Sequence, residues 1–582
     1  LAKKKESRFM PICRRFCQFA VLVAGTFASL MLCAAEQPAD IIFHGGRVYT
    51  LDASAPWAEA VAVRGDTIVY VGSDSGVEAF AGPDSTHHDL AGRLLLPGFI
   101  DSHMHVGSTL PYLFGASLAP DMGPKQALDA IASHAAAYPD QNPLIGTGFL
   151  GAAFGPQGPT ARDLDTVVSD RPAIIFDEGF HSAWINSKAM EQVGLTAATE
   201  DPRPGAHYYR RYPDGSPTGW LIEGEAYGWV AQALGVVKSE TLEQAADSFF
   251  ASMSSRGITA AFDAGMIEGG GELFEFMGQR ARDGRLPLRI VGSHYVNSPR
   301  GLETALQDLA RLDASHSHEF FDVRVLKVSL DGTVEAQTAY TLEPYAEPKG
   351  HRATPLVPLE KTREVVAEAV GSSTDVHLHA IGDGAVRMAL DVVEYARGEH
   401  PQSTSRFTIC HAQIVNPADV PRFGQLDVIV QSTPTWYAYD DIALAYLGEE
   451  RLSHMYPLRS IAAGGARVTL GSDYPASWMG LDGMNPLFNI EMGMTRQPPG
   501  DADYLPQPPA DERITLERAI RGYTLDAAYQ LGLEDHIGSI TPGKQADMVL
   551  LSHNLFDIDT YAIHKTRVLM TMVDGQIVYQ GP

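Results

Sequence analysis

Between residues 98 and 472, short apolar runs recur, separated by stretches with helical patterning, and each ends beside polar or ionisable residues. The runs are Gly98–His105, Gly257–Ala264, Leu288–Val296, Val323–Leu330, Asp375–Ala380, Phe407–Ala412, Val428–Gln431 and Val468–Ser472. Apolar runs of this length alternating with helical segments read as buried parallel strands, and eight of them predict a (β/α)8 barrel. Such barrels carry their chemistry at the C-terminal ends of the strands. The gap between the first two runs far exceeds the roughly 30 residues of one βα unit. Residues from about 110 to 245 are therefore read as a large insertion at the barrel mouth, with a strand of its own at Pro172–Phe176 and several Gly/Pro-rich loops.

The flanks alternate short strands with turns instead. Asp40–Val48, Ala60–Val63, Thr67–Val71 and His88–Leu95 read as strands, with Arg64-Gly65-Asp66 as a hairpin turn. Asp547–Leu551, Arg567–Val573 and Gln576–Tyr579 repeat the texture around the turn Asp574-Gly575. These ends form either separate modules or one sandwich through which the middle is inserted, and the barrel between them favours the second. The expected architecture is α/β: a catalytic barrel over 98–535 and a composite β-sandwich from 36–97 and 536–582.

Residues 1–35 belong to neither. Lys3, Lys4, Lys5, Arg8, Arg14 and Arg15 precede the apolar run Phe19–Leu32, and Ala34 and Ala35 follow. This order reads as a secretory signal peptide cleaved near Ala35, so the mature protein is expected to be exported, periplasmic or secreted. Cys33 admits a lipoprotein and an uncleaved run an anchor, but the run is short for a stable membrane span. Cys13, Cys17 and Cys33 all lie in this segment, which leaves Cys410 alone, without a disulfide partner in its own chain, and read as a small buried hydrophobe.

Charge narrows the partners. The chain carries 44 basic and 71 acidic residues, a net charge of −27, which repels phosphate backbones and anionic lipid. Nucleic acid is excluded as a natural partner. A small-molecule substrate is expected, with a homodimer as the one protein assembly considered.

His103 and His105 stand two apart at the end of the first run, a spacing that points both imidazoles the same way on a strand. His379 ends the fifth run, His411 the sixth and Asp473 the eighth, each separated by whole βα repeats. Imidazoles and a carboxylate brought to one rim suit zinc or a similar divalent ion. Lys327 lies inside the fourth run, where an amine is costly unless used. Either it reaches the barrel end or pairs with Asp331, or CO2 adds to it to give a carbamate that bridges two ions. Trp220 and Tyr227, with Trp436 and Tyr437, are candidates for an aromatic wall around a substrate.

The set His103, His105, Lys327, His379, His411 and Asp473, in that order, resembles the amidohydrolase superfamily. His379-Ala-Ile-Gly-Asp383, Lys327-x-x-x-Asp331-Gly332, Gly471-Ser-Asp473 and Gly538-Ser-Ile-Thr-Pro-Gly-Lys-Gln-Ala-Asp547 are similar to its amidohydrolase-3 (YtcJ-like) branch, which includes N-substituted formamide deformylases. The resemblance covers about residues 40 to 580. It implies one divalent metal on His103, His105 and Asp473, a second on His379 and His411, and a carbamylated Lys327 between them; one or two ions are both known in the superfamily. It further implies hydrolysis of an amide-type C–N bond by an activated water, with Asp473 as general base and then acid. Deamination of a ring, opening of a lactam or lactone, carbamate cleavage, and a non-catalytic binding or regulatory role on the same fold are the alternatives. His377 is expected to support the ligands rather than join them. His181 lies in a segment similar to one near the family's substrate, although Asp177-Glu-Gly-Phe-His181 separates acid and imidazole more widely than the family does. Substrate contacts are therefore expected from His181, Trp220 and Trp436.

Overall fold

All eight strands appear in the computed structural model, in sequence order around one parallel sheet. They are β1 (Phe99–Met104), β2 (Ile258–Asp263), β3 (Arg289–Val296), β4 (Phe321–Ser329), β5 (Asp375–Ala380), β6 (Phe407–His411), β7 (Val428–Ser432) and β8 (Val468–Leu470). The structure describes residues 37–582 apart from residues 120, 156, 267–269 and 439 and the side chain of residue 239. The signal-peptide reading lies outside the described residues. Among the described residues no helix is long and apolar enough to cross a membrane.

The strands form because both faces are covered. Apart from the ends of a few strands they are buried throughout, and helices pack outside them into one continuous apolar cluster. The helix Pro299–Ser315 shows how the sequence specifies these covers. The Ser298 side chain accepts a hydrogen bond from Gly301 N at 3.2 Å, Pro299 occupies the first turn, and Leu302, Ala305 and Leu309 form the buried stripe.

β8 is short, so the join between β8 and β1 is made beyond it. Asp473 N donates to His103 O at 2.7 Å and His105 N donates to Tyr474 O at 2.8 Å. Beneath them the Asp101 carboxylate accepts from His103 N at 3.1 Å and from Ser472 N at 3.0 Å. The approach needs a glycine, because a Cβ on Gly471 would sit 2.5 Å from His103 N and 2.9 Å from His103 O.

The chain ends share a sheet. Met548–Leu551 runs antiparallel to Leu94–Pro97 in a six-stranded sheet that also holds Arg47–Tyr49, Trp57–Ala58, Val568–Val573 and Gln576–Gln580. It packs on a four-stranded sheet of Ile41–His44, Ala60–Arg64, Thr67–Gly72 and Thr86–Asp89, with Phe43, Val61, Ile68, Leu95, Met548 and Met572 between them. Two expected strands are each divided. Asp40–Val48 breaks at Gly45, whose φ of +68° turns the chain from one sheet to the other. His88–Leu95 breaks in the same way at Ala91-Gly92. The buried Arg289 on β3 ties this sandwich to the barrel through Asp547 at 2.6 Å and Asp574 at 2.7 Å.

The insertion is more ordered than its loop-rich composition suggests. It builds a six-stranded sheet from Ala116–Ser117, Leu144–Phe149, Ala173–Asp177, Ser182–Ile185, Pro217–Ile222 and Tyr208–Arg211. Gly146 and Gly148 interrupt one of its strands and Pro217 and Gly219 another, which hid them among turn residues.

Gly471→Ala is expected to cost about 1–3 kcal/mol, because the added methyl meets backbone rather than a flexible side chain. Thermal unfolding measures this, and an unchanged midpoint would show that the β1–β8 join gives way freely.

Candidate metal centre and its cavity

The join that closes the barrel also delivers the first ligand set. His103 Nε2 lies 3.2 Å and His105 Nε2 3.5 Å from Asp473 Oδ1. Behind each imidazole the other ring nitrogen is held. His103 Nδ1 is 3.0 Å from His377 Nε2, and His105 Nδ1–H donates to Gly265 O at 2.9 Å. Such rear contacts fix the tautomer and aim the free nitrogen. His377 itself stacks on Phe262 inside the barrel, with ring centroids 4.6 Å apart.

Across the same mouth, the His379 and His411 rings lie 4.5 Å apart, and Trp436 stacks on His411 at 5.1 Å with an interplanar angle of 11°. His411 and Asp473 both hold left-handed backbone, with φ of +68° and +51°. Backbone of this kind at a non-glycine residue costs on the order of 1–3 kcal/mol and tends to mark functional positions.

Lys327 is buried on β4, its Nζ 3.4 Å from His103 Nε2 and 3.2 Å from Cys410 Sγ. Pairing with Asp331 is not what the structure shows. The Asp331 carboxylate accepts from the backbone N–H groups of Tyr340, Ile381 and Gly382 at 2.9–3.0 Å and stands 3.3 Å from His379 Nδ1. Among the described residues, no ion pair reaches Lys327.

The donors fit a divalent ion. His103, His105 and Asp473 offer three ligand atoms within 4.8 Å of one another. Asp473 Oδ1, His379 Nδ1 and His411 Nδ1 are buried and, despite the near contacts with His103 and Asp331, make no aligned hydrogen bond. Burial, reinforced by Lys327 and by neighbouring imidazoles, holds His103, His377, His379 and His411 well below the usual histidine range. Neutral imidazoles are the form that binds metal.

A cavity of about 780 Å³ opens from these residues toward the insertion, which contributes His181, Trp220, Glu223 and Tyr227 to its lining. The wider Asp177–His181 spacing has a structural use. Asp177 Oδ1 accepts from His181 N at 2.8 Å and Ser182 N at 3.0 Å, so the carboxylate folds the turn that presents His181. His181 Nδ1–H donates to Glu223 Oε2 at 2.9 Å, and Thr338 donates to Glu223 Oε1 at 2.6 Å. Burial opposes charge on His181, but the Glu223 carboxylate outweighs it and pushes the imidazole up to about 9. Burial acts to raise Glu223 in turn, and His181 overcomes that to hold it below its ordinary value.

Trp436 and Trp220 both line the cavity, the latter anchored by its Nε1–H on Ser182 Oγ at 3.0 Å. Tyr437 does not join this wall. It is buried, and its hydroxyl donates to Ser432 Oγ at 2.7 Å. Glu223 is a residue that sequence reasoning missed. Its signal is an acid directly after the apolar run Pro217–Ile222, and its φ of +65° confirms an unusual position.

The fold is a (β/α)8 barrel whose first and last strands bring together a candidate metal site. The chain belongs to the amidohydrolase family, whose model matches residues 87–579. It is 29% identical over 447 residues to the exoenzymes regulatory protein AepA of Pectobacterium carotovorum subsp. carotovorum, covering 74% of this chain and 93% of that protein. It is 25% identical over 562 residues to the N-substituted formamide deformylase of Arthrobacter pascens, covering 94% of this chain and 99% of that enzyme. Its fold is similar to that of an uncharacterized metal-dependent hydrolase from Pyrococcus horikoshii OT3, with a TM-score of 0.69 at 19% identity over 89% of this chain and 99% of the other.

The His181–Glu223 pair generates a pH signature. The His181 pKa is raised from 6.5 to about 9, so its contribution to stability is fully present below pH 6.5 and is lost as pH rises through about 9. The difference in thermal midpoint between the wild type and Glu223→Gln is expected to shrink over that window. A difference that stays constant from pH 6 to pH 10 would contradict the pairing.

Proposed function

We propose that the chain hydrolyses a carbon–nitrogen bond of amide type in a small organic molecule. The observation that carries this reading is the convergence of His103, His105 and Asp473 on one side of a cavity that receives the His181–Glu223 pair from the other. A divalent ion, zinc by the ligand types, held by His103, His105 and Asp473 would acidify a water and polarise the substrate carbonyl. Asp473 takes the proton of the attacking water and passes it to the leaving nitrogen, which departs as a neutral amine. His181, with Nδ1 engaged by Glu223, donates from Nε2 to the carbonyl oxygen as negative charge builds there. Trp220 and Trp436 flank the organic part of the substrate.

Lys327 has a separate part. Addition of CO2 to its Nζ, with loss of one proton, gives a carbamate anion in a place that otherwise surrounds a buried amine with imidazoles and a thiol. That anion, with His379 and His411, would complete a second ligand set. The buried position of Lys327 without a carboxylate partner supports this assignment.

Lactams, lactones, carbamates and ring amidines present the same polarised carbon and belong in the test panel. A regulator that keeps the fold without turnover is the second reading, favoured by the regulatory name of the Pectobacterium relative. Every ligand position named above is filled by a residue able to bind metal, which favours the enzyme. Export rests on the basic, apolar and small-residue order of residues 3–35, and cell fractionation tests it.

Metal-replete protein is expected to turn over a member of a panel of N-acyl and N-formyl amines. Asp473→Asn should then lower kcat by about 10²–10⁴-fold. Unchanged turnover in that variant, with metal content measured alongside, would overturn the mechanism, and binding without turnover of any panel member would favour the regulator.

A further inference from the structure

The cavity is more acidic than the proposed reaction requires. Beyond Asp473 and the Glu223 that pairs with His181, its lining includes Glu178, Glu335, Asp440 and Asp441, while among the described residues Lys327 is its only lysine or arginine. Asp440 has structural work, accepting from Ala443 N at 2.7 Å to cap the helix Asp441–Leu447. Glu178 and Glu335 have none of this kind. Glu178 sits in the turn between two strands of the insertion, partly open to the cavity, and among the described residues no hydrogen bond or ion pair reaches its carboxylate while other acids lie near it. Glu335 lies in the segment after β4, partly open to the cavity; its own backbone N–H and the His181 charge favour its ionised form, and among the described residues no salt bridge reaches it.

A carboxylate in such surroundings is costly unless an opposite charge joins it. Burial, and then the neighbouring acids, pushes Glu178 well above the ordinary carboxylate range, and burial with Asp440 pushes Glu335 up to about 7. A cation between them removes that repulsion. Among the described residues, the groups of three or more ligating atoms within 4.8 Å of one another do not include these acids. Dispersed carboxylates suit a larger organic cation instead. The cavity lining also includes aromatic side chains, which attract organic cations: Trp478, and Trp220 and Tyr456, which already carry Arg210 and Arg496 over their rings.

We propose that Glu178 and Glu335 form a cation subsite, which selects substrates bearing a protonated amine or another organic cation away from the bond that is cleaved. The substrate part of this proposal rests on the hydrolase reading above, whereas the subsite itself does not.

The test is binding, measured by calorimetry on metal-replete protein near neutral pH. Benzyltrimethylammonium carries a fixed charge and cannot ligate a metal; benzyl alcohol is its uncharged aryl counterpart. The wild type is expected to bind the cation about tenfold or more tightly than the alcohol, and Glu178→Gln and Glu335→Gln should each cut that ratio, the pair together bringing it near one. Both variants remove repulsion, so their thermal midpoints are expected to match or exceed the wild type. Equal affinity for the two probes in the wild type, no binding of either, or a ratio unchanged in folded variants would each overturn the proposal. Charge preference without turnover of any amide would sink the hydrolase reading alone, and turnover without charge preference would sink the subsite alone.

Discussion

The arrangement depends on the closure of the barrel between its first and last strands. Hydrogen bonds from Asp473 N to His103 O and from His105 N to Tyr474 O join backbone that also carries three candidate ligands. Asp101 lies under the join and binds N–H groups from both sides, and burial pushes its carboxyl up to about 7 despite those donors. Gly471 permits the approach because nothing larger than hydrogen fits against His103. Closing the barrel and assembling the site are therefore one structural event. A strand end displaced by an ångström would separate the ligands as surely as a substitution.

Charge is then divided between two layers. On the barrel side, burial keeps four imidazoles neutral around a lone lysine. On the insertion side, the His181–Glu223 pair supports a positive imidazole and leaves further acids along the cavity. The barrel thus presents groups suited to a metal, while the insertion lines the cavity they open into. A common barrel chemistry with a variable cover is how one fold serves many substrates.

The eight strands were legible because each is a continuous apolar run, which burial on both faces requires. The ligands were legible because they close those runs. What escaped was structure that depends on the backbone. The chain changes sheets at Gly45 and at Ala91-Gly92, and no apolar pattern announces that. Strands of the insertion carry Gly146, Gly148, Pro217 and Gly219 inside them, so they read as turns. Glu223 was missed because a lone acid after a strand is common, and its pairing with His181 arises only when the insertion's strands Ser182–Ile185 and Pro217–Ile222 come together. Tyr437 was misplaced for the opposite reason: adjacent to Trp436 in sequence, it points into the core.

Anomalous diffraction from zinc-loaded crystals tests the central claim most directly. The account predicts a zinc peak bonded to His103 Nε2, His105 Nε2 and Asp473, at about 2.0–2.2 Å from each donor. A metal-replete crystal with no peak among those three residues, or with its zinc bound elsewhere, would contradict it.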